Sequence, residues 1–170
     1  MKKERVTKVE AAVRQIDTAI KLWFSDGDLV SIHVLTSSAY EIIEHLNKNR
    51  GGKPLLYDSH LIKDEDRNGV LRQLKLPWNF FKHANNDPNN VLVLNTNYTE
   101  GMLELACQGI KILKVAPTEL MHAYHCYFQV HHEECMDDEE TAMKDQLSPL
   151  ELKTILELSK SEFLAWFRKS

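Results

Sequence analysis

The run Val6-Thr7-Lys8-Val9-Glu10-Ala11-Ala12-Val13-Arg14-Gln15-Ile16-Asp17-Thr18-Ala19-Ile20-Lys21-Leu22-Trp23 carries a helical period. Val6, Val9, Val13, Ile16, Ile20 and Trp23 recur at spacings of three and four, which makes one apolar stripe on a helix over about residues 3–25. Lys8, Glu10, Arg14, Gln15, Asp17 and Lys21 fall largely elsewhere. Such a seam packs against another helix. Ser25-Asp26-Gly27-Asp28 ends the pattern: Gly27 suits a left-handed helix end, and Asp28 suits the cap of the next helix.

That next helix runs over about residues 29–48, and its small centre, Ser37-Ser38-Ala39, predicts the tightest crossing of the bundle. Residues 50–54 read as a loop, and residues 55–57 as briefly extended. A third helical region spans about residues 59–84, with a kink or break expected just before Pro77, which has no N–H to donate. Residues 85–90 form an Asn-rich loop, and residues 91–94 are the one good strand candidate. Asn97 or Thr99 can cap a fourth helix that reaches about Leu113. Pro117 suits the first turn of a fifth, which continues to about Glu134. Ser148-Pro149-Leu150-Glu151 signals a capping box that opens a last helix carrying Leu152, Ile155, Leu156, Phe163, Trp166 and Phe167.

Composition agrees with this reading. Only 6 Gly and 5 Pro occur in 170 residues, where average usage would supply about 12 Gly alone. A turn-rich sandwich or barrel is therefore excluded. The expected fold is all-α, an antiparallel bundle of five or six helices, in which residues 91–94 can pair with residues 55–57 as a tiny ribbon. One domain spans 1–170: residues 1–115 form the core bundle, and 116–170 supply C-terminal helices across an acidic linker at 136–147. The seam of the first helix and the aromatic C-terminus offer homodimer surfaces. No apolar run is of membrane-spanning length and no signal peptide opens the chain, so a cytoplasmic protein is expected. Cys107, Cys126 and Cys135 lack zinc-finger spacing and read as reduced thiols, Cys107 in the core.

Chemistry concentrates near Pro77. Arg72, Asn79 and His83 are separated by seven and four residues, so a helix that survives the proline places them on one face beside Lys75. A cation, an amide and an imidazole together can hold a phosphate or polarise a hydroxyl. The plainer alternative is that Asn79 and His83 serve a helix end. Lys63, Arg67, Arg72, Lys75 and Lys82 make a local basic face that could meet RNA, although the formal charge of −4 argues against broad nucleic-acid affinity. Its plainer reading is a solvated surface. Of the two histidines on the second helix, His33 reads as inner and satisfied, His45 as outer.

A second constellation is His122, His125, Cys126, His131, His132, Glu133, Glu134 and Cys135. His122 with Cys126, and His131 with Cys135, have the i,i+4 spacing that can chelate a transition metal. The pairs lie nine residues apart, which turns one away from the other, and Tyr124, Tyr127 and His131 share the probable core face with Leu120. We therefore expect ordinary surface or core histidines, with no metal and no cofactor. A phosphate loop, a dinucleotide fingerprint and a nucleophile elbow are all missing.

Asp17-x-Ala19-Ile20-x-Leu22-x-Phe24, followed by Gly27-Asp28 and Ile32-His33-x-Leu35-x-x-x-Ala39-x-Glu41, resembles the first helix pair of HEPN-superfamily domains. In those domains a later helix carries Arg, often followed by Asn, four to six residues before His. Asn79-Phe80-Phe81-Lys82-His83 is similar to the second half of that motif, while Trp78 stands where the Arg would be and Arg72 lies too far upstream. The resemblance spans about residues 10–113. The segment Asn79-Phe80-Phe81-Lys82-His83-Ala84 with Asp87-Pro88 is also similar to one in short bacterial proteins, a likeness that carries no activity. The HEPN resemblance implies a helical bundle, commonly a homodimer, whose active members cut RNA without metal at the dimer seam. Only Asn79 and His83 transfer to this chain. Loss of the Arg removes the group that would stabilise the pentavalent phosphate, so the expected function is a non-catalytic binding or regulatory module acting as a homodimer. The alternatives are a metal-independent ribonuclease using His83, Asn79 and, as a fallback, Arg72, and a metal-binding protein using the fifth helix.

Overall fold

The computed structural model describes residues 3–55, 66–83, 88–132 and 147–169. Among these residues there are seven helices and no strand: α1 Lys8–Phe24, α2 Leu29–Asn49, α3 Arg67–Lys82, α4 Thr96–Ile112, α5 Glu119–His131, α6 Pro149–Leu156 and α7 Lys160–Phe167. The fold is an all-α bundle. Residues 91–94 are not paired, and Val91 and Val93 stand 84% and 91% exposed. The expected ribbon is therefore absent among the described residues. A short run with β-type composition still needs a partner to satisfy its backbone. Of the proposed partner, residues 56–57 lie outside the described residues, and Leu55 is buried in the helical core.

α1 begins with a reciprocal capping box. The Thr7 N–H donates to Glu10 Oε2 at 2.7 Å, and the Glu10 N–H donates to Thr7 Oγ1 at 3.2 Å. The helix ends through Asp26, which takes the left-handed conformation (φ 50°) that the sequence assigned to Gly27. Gly27 is required for a different reason: its N–H donates to the Leu22 carbonyl at 2.7 Å, and a Cβ there would stand 2.9 Å from the same oxygen. Asp28 caps α2 as expected, accepting from the Ser31 N–H at 2.7 Å.

Of the seam read along α1, Ile16, Ile20 and Trp23 are buried within the chain together with Ala12 and Ala19, Val9 and Val13 are half-buried, and Val6 precedes the helix and is exposed. α1 packs chiefly on α2, and α2 on α4, while α5 closes against α1 and α4. α3 lies along α2 and α4. α7 brings Phe163 onto the ring of Phe24, stacked at 6.2 Å between centroids. Trp166 and Phe167 are half-buried, while Ile16, Ile20, Trp23 and Phe163 are thus covered within the protomer. The hydrophobic effect consumes them inside the protomer because α2, α5 and α7 lie close enough to cover them.

The remaining differences follow from capping. α4 is capped by Asn95, whose side chain accepts from the Asn97 N–H at 2.9 Å, while Thr99 sits buried inside the helix bonded to His33. α5 is capped by Thr118, so Pro117 precedes the cap, and the helix ends at His131. The last stripe splits in two, because Ser159 and Glu162 form a second capping box that restarts the chain as α7. Most of the acidic stretch 136–147, like Glu133, Glu134 and Cys135, lies outside the described residues. No described helix is long and apolar enough to cross a membrane.

Candidate binding grooves beside Trp78

α3 runs unbroken from Arg67 to Lys82 with Pro77 inside it. Of the expected kink or break, the break does not occur. Proline at 77 deprives only the Gln73 carbonyl of its helical partner, and Gln73 is exposed, so solvent can supply the bond. His83 is the C-cap, extended, with its N–H donating to the Asn79 carbonyl at 3.1 Å. Continuity of the helix presents Lys75, Asn79 and Lys82 toward α2.

Trp78 is buried at the α2–α3 contact. Its Nε1 donates to Glu41 Oε1 at 2.8 Å. Lys82 Nζ lies over the indole, 4.0 Å from the ring centroid, and 3.6 Å from Glu41 Oε2. Thus an indole, a carboxylate and an ammonium satisfy one another where the resemblance would place a free arginine.

Two grooves flank this triad. The first, about 360 Å³, runs between α2 and α3; Ser37, Glu41, Glu44, Lys75, Trp78 and Asn79 are among its walls. The second, about 550 Å³, lies on the other side of Asn79 and is lined by Leu76, Phe80, His83 and residues 90–92. Asn79 and His83 therefore share the second groove. Arg72 is exposed on α3 and lines neither. Lys75 belongs to the first. Of the local basic face, Lys82 is engaged with Trp78 and Glu41; Lys63 and the side chain of Arg67 lie outside the described residues.

The α5 constellation is bound into the protein by two carboxylates that the sequence reading passed over. His125 Nδ1 donates to Glu104 Oε1 at 2.6 Å, and His132 Nε2 donates to Glu100 Oε2 at 2.8 Å. Trp23 Nε1 reaches Glu100 Oε1 at 3.3 Å, and the Tyr124 hydroxyl donates to the Glu100 carbonyl at 2.9 Å. Burial, then the charges of Glu100 and Glu104, raise Tyr124 well above the usual phenol range. His131 stacks on Tyr127 at 3.7 Å, and His122 is exposed. Burial pushes up the thiols of Cys126 and Cys107, the latter in the core as expected. Among the described residues no three His, Cys, Asp or Glu side chains are grouped as a metal site. The signal for Glu100 and Glu104 was their i,i+4 spacing on the apolar side of α4, beside Leu103 and Cys107.

On α2, His33 is fully buried. Its Nδ1 shares a hydrogen bond with Thr99 Oγ1 at 3.0 Å, while Nε2 has no protein partner. The expected inner histidine is present but only half satisfied, and burial lowers its pKa to about 4. His45 is the outer one, donating to the Glu41 carbonyl at 2.7 Å. Comparison of the chain with family models, curated proteins and solved structures gives no match.

Proposed function

We propose that this chain is a HEPN-like, non-cleaving helical module that binds or regulates as a homodimer in the cytoplasm. The observation that carries this reading is Trp78. Its N–H is committed to Glu41, and the cation over its ring is neutralised by the same carboxylate. A phosphoryl transition state needs an unpaired cation aimed at the developing charge, and Glu44, in the wall shared with Asn79, opposes it. For the dimer, the second groove supplies a face of exposed apolar side chains: Leu76 and Val91 in its wall, and Val93 next along the chain.

A ribonuclease is the second reading, because Asn79 and His83 do share that groove. Incubation of RNA with the protein and with His83→Ala, both in chelator, separates the two. No cleavage by either is expected; cleavage by the parent that His83→Ala abolishes would establish the nuclease instead. Light scattering should give twice the 19.7 kDa chain mass and revert to the single mass in a Val91→Glu, Val93→Glu variant. A monomeric parent would end the dimer reading.

A further inference from the structure

We propose that the first groove, between α2 and α3, is a binding site for a small zwitterion, an amino-acid-sized molecule with a primary ammonium at one end and an anionic group at the other. Three observations lead there. Ser37 is 2% exposed, lies in the groove wall, and its Oγ makes no hydrogen bond within the protein. A buried hydroxyl without a partner is costly, and a ligand donor or acceptor at this position removes the cost. Glu44 is half-buried in the same wall and has neither hydrogen bond nor ion pair among the described residues. A carboxylate held in a recess without a cation is a site for one.

The third observation is the pair Glu41 and Trp78, which already holds an ammonium. Lys82 Nζ sits against the indole face and Glu41 Oε2. The protein thus displays, with its own side chain, the chemistry that this corner accepts. Lys48 and Lys75 also line the groove, are exposed, and have no ion-pair partner among the described residues. With Glu41 paired to Lys82, the unpaired charges of the groove are one carboxylate, Glu44, and two ammonium groups, Lys48 and Lys75, so the groove offers partners of both signs to a molecule that bears both. Its volume, about 360 Å³, lies at the small end of the range of small-molecule sites, about 300–1,000 Å³. A folded partner does not fit inside it.

The test uses the full chain and three matched probe series: straight-chain ω-amino acids of increasing length, the corresponding alkylamines, and the corresponding alkanoates. The Trp78 indole N–H, which donates to Glu41, is followed by NMR. At least one ω-amino acid should move that resonance saturably. Its amine counterpart should bind at least about tenfold more weakly, and its alkanoate should not bind. Glu44→Gln and Lys75→Gln, both at side chains without bonds to the fold, should each weaken the ω-amino acid by about tenfold or more. Ser37→Ala should weaken it while leaving the unfolding midpoint unchanged or raised. Silence across all three series, an amine that binds as well as the amino acid, or binding indifferent to Glu44→Gln would each overturn the proposal. Those outcomes leave the dimer reading standing, because it rests on the second groove.

Discussion

His125 Nδ1 and Glu104 Oε1 are 2.6 Å apart, and the Glu104 side chain is completely buried. Gln108 Nε2 supplies one further bond, to the same oxygen, at 3.3 Å, and Oε2 has none. Removing one partner of a buried pair leaves the other desolvated and uncompensated. His125→Ala should therefore cost about 2–4 kcal/mol in urea unfolding at neutral pH. Glu104→Gln, which keeps an acceptor for the imidazole, should cost less. Equal losses in the two variants would show that packing of the imidazole, rather than the stranded carboxylate, sets the cost.

His33 makes stability depend on pH. Its ordinary value of 6.5 falls to about 4 in the folded chain, through burial. The unfolded chain then binds the proton more readily over that interval, so acid favours unfolding. The contribution is intact above about pH 6.5 and shrinks as the pH falls toward 4, by up to ~3 kcal/mol. Neither neighbour of the ring, Thr99 at 3.0 Å nor Phe81 at 5.9 Å between centroids, titrates there. Urea midpoints at pH 7 and pH 5 should differ less in His33→Gln than in the parent. Parallel pH profiles would mean that the imidazole protonates as easily folded as unfolded.

What the sequence makes legible is local. The stripe from Val6 to Trp23, the cap at Asp28 and the box at Ser148 depend on residues three or four apart; the structure places the cap and the box as read, and the stripe from Val9 onward, because the Thr7 cap starts the helix after Val6. Ser159-Lys160-Ser161-Glu162 carries the same capping signal, yet the apolar spacing across it masks the helix break at Glu157. Residues 91–94 mislead for the opposite reason: composition suits a strand, and nothing in a sequence window shows whether a described neighbour lies alongside to pair with it. The polar interior is the least legible part. Glu104 meets His125 across 21 positions, Glu100 meets His132 across 32, and Glu41 meets Trp78 across 37. A carboxylate in an apolar helix reads as solvent-facing until tertiary packing supplies its donor. Asn79 and His83 were visible because their spacing keeps them on one helix, and Arg72, a further turn and more upstream, lines neither groove.

A glycine of α4 packs closely against α2 and the chain beyond it. A Cβ on Gly109 would stand 2.7 Å from Ile43 Cγ2 and 3.2 Å from Leu55 Cδ1. Ile43 is fully buried and β-branched, so it cannot move aside cheaply. Gly101, eight residues earlier in the same helix, faces open space at that position. Both glycines lie inside α4, where alanine gains roughly 0.5–1 kcal/mol over glycine by restricting the unfolded chain. Gly101→Ala should realise that gain in full. Gly109→Ala receives the same entropic gain but must displace Ile43, and overpacking of a filled core costs about 1–3 kcal/mol. Thermal unfolding should therefore shift upward for Gly101→Ala and downward for Gly109→Ala. A rise for both would show that α2 and α4 can separate by a few tenths of an ångström without loss, and that the glycine is not what sets their distance.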